Sequence, residues 1–489
     1  MAHHWPRRLL RVALLVTPAL LLSVPTARLA QAATPLLQIS ADPFTNTTSQ
    51  HKTQVEPDSF AYGSTIVAAA QTGRFTDGGS SDIGWATSKD GGTTWTHGFL
   101  PNTTIYVGGT LGRLSDPSVA YDAAHNTWLI ASLPIGVGAG VPTVGAISNR
   151  STDGGLTWSN PVFISTQNGT DKTWIACDNT ATSPFYGHCY AEWDNNSNGN
   201  LIQMSTSSDG GQTWGPARST ANSATGIGGQ PVVQPSGTVV VPIANANETA
   251  ILSFVSQNGG ATWGSTVTVA TVANHAEAGQ LRSGPLPSAE IDAAGDVFVA
   301  WSDCRFETGC PANDIVFKAS RDGLAWSRAV RVPIAAVGSG ADYFLPGLAV
   351  DQATSGSSVH LGLSYYYYPT SACTLTTCRL DVGFISSQDG GRTWSAPTQI
   401  GGPMLVSWLA TTTQGYMVGD YMSTSFSGGK AFPAFVLAGP RSGSQFNESL
   451  FTVANGLSLA SDVTPASDTA GEPASAPDTG APRVPLTLH

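Results

Sequence analysis

The chain has 489 residues, of which only 11% are charged, with 54 glycines and 13 tryptophans. That balance suits many short strands joined by glycine-rich turns. The net charge of −11 leaves nothing to gain from a phosphate backbone, so a nucleic acid is excluded as a partner.

At the N-terminus, Arg7, Arg8 and Arg11 precede an apolar run at residues 12–24. The run is short for a bilayer span, and Ala30-Gln31-Ala32 places small residues where a signal peptidase cuts. Residues 1–32 are therefore an expected export signal, with an uncleaved anchor as the alternative. No later segment is apolar enough to span a membrane, so the mature chain is expected to be secreted and extracellular. Its cysteines fall into three local pairs: Cys177 with Cys189, Cys304 with Cys310, and Cys373 with Cys378. In an oxidising compartment these are expected to close as disulfides. No clustered histidines or CxxC spacing accompany them, so a structural metal is not expected.

One segment then recurs along the chain: Ser88-Lys-Asp-Gly-Gly-Thr-Thr-Trp95, Ser151-Thr-Asp-Gly-Gly-Leu-Thr-Trp158, Ser207-Ser-Asp-Gly-Gly-Gln-Thr-Trp214 and Ser387-Gln-Asp-Gly-Gly-Arg-Thr-Trp394. Two altered copies complete the series. Asn258 replaces the aspartate in Ser256–Trp263, and Ser320–Trp326 is one residue shorter. The Asp or Asn accepts backbone N–H groups that follow it, the glycines supply positive φ, and the Trp buries its face against the same sheet. The motif thus reads as a staple of one hairpin.

Each unit runs through two apolar stretches, a variable loop and a third stretch to the staple, with a fourth strand after it. An example is Asp116-Pro-Ser-Val-Ala-Tyr-Asp122 followed by Trp128-Leu-Ile-Ala131. Four antiparallel strands per repeat make a propeller blade, so the fold class is all-β. Residues 416–457 form a staple-free unit with three strand-like stretches, at 417–426, 431–437 and 449–453. The missing fourth comes from residues 36–40, which closes the ring and protects its edges. The count is then seven blades, with six the alternative. The propeller is expected over residues 33–457. Residues 458–489 lack large apolar side chains and are expected to be a disordered tail.

In such a blade the staples mark one face, and the strand starts and variable loops mark the other. The starts carry Asp58, Asp116, Asp171, Lys172, Gln230, Arg282, Asp342, Tyr343, Asp420 and Tyr421. The loops add Arg74, Asp77, Asp82, Glu192, Trp193, Asp194, Asp303, Arg305 and the tyrosine run at residues 365–368. Carboxylates beside arginines and aromatics suit carbohydrate recognition, and close carboxylates suit acid–base work. Each residue taken alone also fits a solvated loop position or a turn cap.

The stapled repeats resemble the Asp-box, or bacterial neuraminidase, repeats of the sialidase superfamily, over about residues 88–439. Sialidases bind the substrate carboxylate with an arginine triad and use a Tyr nucleophile, a Glu that activates it and an Asp acid/base. The stretch from Arg74 to Ser88 resembles the segment before the first box, which makes Asp82 the implied acid/base, with Asp77 behind it. Gly419-Asp-Tyr-Met-Ser423 resembles the late Tyr segment, which makes Tyr421 the implied nucleophile, with Glu192 as partner. Arg282 and Arg305 stand as implied triad members. The family's Arg-Ile-Pro motif is replaced by Gln54-Val-Glu-Pro-Asp58. The lost arginine removes a bidentate contact to a carboxylate.

Two functions follow: a secreted exo-glycosidase of the sialidase type, and a non-catalytic carbohydrate-binding or adhesion propeller. A third, a cation held by Asp116, Asp171, Asp342 and Asp420, would need their oxygens within about 2.3–2.6 Å of one point. The expected partner is a glycan or glycoconjugate, the expected state a monomer, and no cofactor is expected.

Overall fold

Short runs that alternate apolar with small polar residues form strands that hide their faces against neighbouring sheets. In the computed structural model, which describes Met1, His3, residues 35–460 and residues 463–465, these runs form antiparallel four-strand meanders. The first is Gln54–Tyr62, Thr65–Arg74, Ser80–Ser88 and Thr96–Phe99. The second is Arg113–Asp122, Thr127–Ile135, Ala146–Ser151 and Val162–Ser165, and the third Thr170–Cys177, Cys189–Asn195, Leu201–Ser207 and Arg218–Ser219. In the fourth, Gly226–Ile227 and Val232–Val233 share the first place, ahead of Val239–Asn245, Ala250–Ser256 and Val267–Thr271. The fifth is Ser288–Ile291, Val297–Asp303, Asp314–Ser320 and Val330–Arg331, and the sixth Asp342–Val350, Leu361–Tyr368, Arg379–Ser387 and Thr398–Leu405.

The seventh meander is built from both ends of the chain. Ser423–Ser427, Lys430–Ala438 and Glu448–Val453 are completed by Leu36–Gln38, with Leu37 opposite Thr452. This is the pairing expected for residues 36–40. Two further pairings run past the expected tail boundary at 458. Leu457–Ser458 joins Lys430–Ala438, and Val463–Pro465 joins Thr393–Ser395. The remainder of the expected tail and the expected export signal lie outside the described residues, Met1 and His3 apart. By internal contacts the chain divides into Met1–Ala33 and Thr34–His489, and the meanders belong to the second. Among the described residues, no helix is long and apolar enough to cross a membrane.

The first strand of each meander packs against the first strand of the next, and that of the seventh meets that of the first. The core is correspondingly divided into seams between meanders. Val67, Ile83, Val119, Ile130 and Ile147 fill the first seam. The seam between the seventh and first meanders is filled by small residues, Ala68, Ala70, Ala86 and Ala434, around Ile39 and Leu450.

Three short covalent loops complete the frame. Cys177 is bonded to Cys189 across the third meander, Cys304 to Cys310 after the second strand of the fifth, and Cys373 to Cys378 in the sixth. The pairing is the local one expected for all six cysteines, and no described cysteine is free. Cys310 takes a positive φ of 56° to close its six-residue loop. Cys378 is fully buried beside Leu281 and Leu380. These six side chains are therefore bound up in structural links.

The stapled turns belong to the seams. Ser88 Oγ donates to Asp90 Oδ1 at 2.8 Å, and the same carboxylate accepts Thr94 N at 2.9 Å and Thr94 Oγ at 2.6 Å. The Thr94 hydroxyl and amide hold Asp90 down to about 2. Asn258 makes the matching bonds to Thr262 with its amide. The expected staple within one hairpin is only half of the arrangement. Trp214 Nε1 donates 3.1 Å to Ser148 Oγ of the preceding meander, and Trp326 Nε1 donates 3.0 Å to Ser253 Oγ, again one meander back. The second glycine of most turns, and the lone glycine of the shortened one, is pressed onto that neighbour. A Cβ would overlap Phe432 at Gly92, Leu129 at Gly211, Val240 at Gly323 and Phe317 at Gly391. The turn therefore clamps successive meanders together.

Candidate functional site

The axis of the chain is shaped by register slips in the first strands. The ladder slips between Val55 and Asp58, between Ser115 and Ser118, between Asp171 and Trp174, and between Phe344 and Gly347. At the slip sit Glu56, Asp116, Lys172 and Leu345, with φ of 55°, 47°, 49° and 50°. A non-glycine residue held there costs ~1–3 kcal/mol, and such strain gathers where a side chain must be re-aimed. Leu345 turns into the core between the sixth and seventh meanders. The other three side chains meet one another.

Lys172 Nζ pairs with Asp420 and lies 3.6 Å from both Glu56 and Asp116. Arg282 grips Asp420 with two nitrogens, Nε at 2.9 Å from Oδ1. Arg74 donates 2.8 Å to Gln71 Oε1, and Gln71 donates to Glu56 and, at 3.1 Å, to Ser115 Oγ. Ser115 in turn donates 2.6 Å to Asp116. Burial lifts Glu56 well above the usual carboxylate range, helped by Asp116. Burial works against charge on Asp420 as well, but Arg282 and Lys172 outweigh it and hold that group well below its ordinary value. The cluster is closed to solvent, with Glu56 1%, Asp116 3%, Lys172 3%, Arg282 2% and Asp420 1% exposed. A hairpin of Ala410–Thr412 and Gly415–Met417 is tied across this end. Tyr416 O accepts Arg282 N at 2.7 Å, Thr76 O accepts Thr413 N at 3.0 Å, and Met417 packs on Val55.

The residues expected at a catalytic centre each have other neighbours. Tyr421 donates its hydroxyl 3.0 Å to Pro117 O and stands edge-on to Trp174 at 5.0 Å. Burial, then Glu56 and Asp116, push its phenol well above the ordinary value, the opposite of an activated nucleophile. Asp82 is bonded by Thr103 at 2.8 Å within the first meander. Glu192 faces Gly229 in the third, lifted by burial. No hydrogen bond among the described residues joins Tyr421 to Glu192 or Asp82. Arg305 pairs with its own loop, 2.7 Å from Asp303. Asp342 accepts Asn313 N at 2.7 Å and lies 3.2 Å from His275, while Tyr343 stacks on Tyr367. Asp171 accepts Asn196 Nδ2 at 3.3 Å at the edge of the cluster. The third alternative, Asp116, Asp171, Asp342 and Asp420 converging on a cation, finds no support. Lys172 and Arg282 occupy the carboxylates, Asp342 lies apart, and no His/Cys/Asp/Glu group among the described residues is arranged to hold a metal.

A cavity of about 340 Å3 lies on the other side of the slips, where the first strands end. Asp58, Phe60, Tyr62, Trp174, Gln230 and Glu290 line it. It is bordered by first-to-second strand turns, and the stapled turns lie beside those turns, Gly91 N donating 2.9 Å to Ser64 O. The cavity thus opens on the stapled face, whereas the sequence placed the site on the opposite one. A neck of about 10 Å3 between Lys172, Trp174, Gln230 and Tyr421 separates it from the ionic cluster. Asp58 accepts Val119 N at 2.7 Å across the first seam, and burial lifts it to about 7. Glu290 keeps part of its surface open to the cavity, yet enough protein surrounds it that burial, with Asp58 nearby, lifts it to about 8.

Glu56, Gln71, Trp174 and Glu290 were not expected at a site. Asp58 and Gln230 stand among the strand starts in the sequence, and Glu290 follows Pro287 in the same pattern, so the repeat register carried that signal.

Residues 136–344 match the family model of a BNR repeat-like domain, the repeat that the stapled turns resemble. No curated protein matches the chain in sequence. Among solved structures, a Dyadobacter fermentans protein of unknown function is similar at 16% identity and a TM-score of 0.47, over 72% of this chain and 99% of that one. The leech intramolecular trans-sialidase is similar at 13% identity and 0.44, over 67% of each chain. A Fusarium graminearum α-L-arabinofuranosidase is similar at 14% and 0.44, over 72% of this chain and 97% of that one.

Proposed function

We propose that this BNR-repeat chain is an exported seven-bladed β-propeller that takes the end of a glycan into its axial cavity and hydrolyses the terminal glycosidic bond. The observation that carries this reading is the cavity: about 340 Å3, blind at its inner end, with aromatic faces from Phe60, Tyr62 and Trp174 beside carboxyl and amide groups. A sugar ring presents flat C–H faces edged by hydroxyls. Aromatic rings cover the first, and planar polar groups bind the second. A blind cavity suits a chain end better than the middle of a polymer. The seven-blade count is supported by the cyclic succession of first-strand contacts. Export is supported by three closed disulfides, which suit an oxidising compartment. In this reading the ionic cluster is the closed floor of the cavity, and Tyr421 is a wall of the neck.

The test is a screen of the purified chain against chromogenic glycosides, beside binding to a glycan array. The expected result is turnover or binding that falls at least tenfold in Trp174→Ala, while Tyr421→Phe keeps it within about threefold. If Tyr421→Phe abolishes activity and Trp174→Ala does not, the site returns to the ionic cluster. Retained binding without turnover selects the carbohydrate-binding alternative. Neither binding nor turnover rejects the glycan reading.

A further inference from the structure

The charge of the axial cavity narrows its ligand, an inference that rests on the glycan reading above. Among the described residues, no Lys or Arg lines the cavity. The nearest cations are buried at the neck or behind it, although Arg282 Nη1 and Arg74 Nε make no hydrogen bond among the described residues there. Lys172, at the neck, is held by Asp420 and flanked by Glu56 and Asp116, and it is 3% exposed. Arg282 has both Nε and one terminal nitrogen on Asp420 and is 2% exposed. Arg74 bonds to Gln71 Oε1 and to Gly79 O and is 1% exposed. An anionic ligand would have to pass the neck and enter a closed cluster to gain a cationic partner, and a carboxylate left unpaired in the cavity is costly.

The cavity meets its ligand instead with two carboxyl groups. Asp58 has one oxygen committed to Val119 N. Glu290 has the backbone amide of Ile291 beside its carboxyl group and keeps part of its surface open. A carboxyl group both donates and accepts when neutral, and accepts when ionised, so it satisfies hydroxyls in either state. Toward a carboxylate it offers repulsion once ionised. Trp174 lies across the inner wall, between these groups and the neck.

We infer that the axial cavity is a binding site for an uncharged sugar ring, with Glu290 bonding its hydroxyls and Trp174 stacking on its face, and that it rejects acidic sugars such as sialic acid. The cavity offers such a sugar no arginine clamp. The site stands on the stapled face, with Tyr421, the nucleophile that the sialidase resemblance implied, behind Trp174 at the neck.

The experiment uses the full chain and a panel of neutral oligosaccharides ending in galactose, glucose, mannose, xylose or arabinose. The galactose-ended members are paired with their sialylated counterparts. At least one neutral probe is expected to bind, and sialylation is expected to weaken binding at least tenfold. Trp174→Ala and the near-isosteric Glu290→Gln should each weaken the neutral probe at least fivefold, with melting curves confirming that both variants fold. A sialylated probe that binds as well as its neutral partner overturns the charge inference and leaves the glycan reading intact. Neutral binding that neither variant changes places the sugar elsewhere and overturns the site. No binding by any probe overturns the glycan reading and this inference with it.

Discussion

Two adjacent glycines in one turn carry different constraints. Gly91 and Gly92 both have positive φ, 66° and 81°. A Cβ on Gly91 would find its nearest neighbour 3.9 Å away, at Ser427 Oγ, whereas on Gly92 it would enter the Phe432 ring of the seventh meander. Gly91→Ala is therefore expected to cost ~1–2 kcal/mol, for the left-handed backbone alone. Gly92→Ala should lose ~1–3 kcal/mol more, because the seam must open. Urea unfolding of the two variants checks this, and equal losses would mean that the turn does not press on its neighbour. A second prediction concerns Glu290 and Asp58, lifted to about 8 and about 7 chiefly by burial. Both groups take up protons on folding, since an unfolded carboxyl titrates near ~4. The stability they contribute is complete below that range and is lost as pH rises through 7 to 8. The melting temperature should fall between pH 6 and 9, and Glu290→Gln should flatten that fall. An unchanged slope would mean that Glu290 is ionised throughout.

At the scale of elements, the slipped first strands decide where charge collects. A regular strand would alternate its side chains between the two seams. The slip breaks that alternation and turns Glu56, Asp116 and Lys172 toward one another. Buried at 3% exposure beside three carboxylates, Lys172 cannot be removed without leaving Asp116 uncompensated and Asp420 to Arg282 alone. Lys172→Met is expected to cost ~3–5 kcal/mol in equilibrium unfolding. A loss below ~1 kcal/mol would show that water reaches the cluster and that the covering hairpin at residues 410–417 is open in solution.

At the scale of the molecule, the seventh meander joins the two ends of the chain. Gln54 supports this closure from the first meander, donating 2.6 Å to Ser40 Oγ and accepting Leu450 N at 2.9 Å. The seam is otherwise lined by alanines around Ile39, which is 2% exposed. Removal of residues up to 41 deletes the strand Leu36–Gln38 and Ile39 and leaves Glu448–Val453 as a bare edge. The expected loss is ~3–5 kcal/mol, with a new tendency to self-associate. Calorimetry with light scattering measures both. An unchanged melting temperature would mean that the N-terminal strand does not close the ring.

The sequence by itself determined the repeating turn, the meander it belongs to, the pairing from residues 36–40 and the disulfide pairs. All of these are local, or set by repetition, because a turn needs only its own Asp, glycines and backbone. Cys304 and Cys310, or Cys373 and Cys378, need only the short loop between them. The tertiary structure alone decided which meander each Trp and second glycine clamps, since nothing in Gly92 names Phe432. It also decided the charge cluster. A register slip depends on how a strand fits its neighbours, so the strand starts offered Asp116, Lys172, Arg282 and Asp420 as site residues without showing that they pair with one another and with Glu56. The face of the cavity followed from the same packing, because the slips close one end of the axis with buried ion pairs and leave the other end hollow.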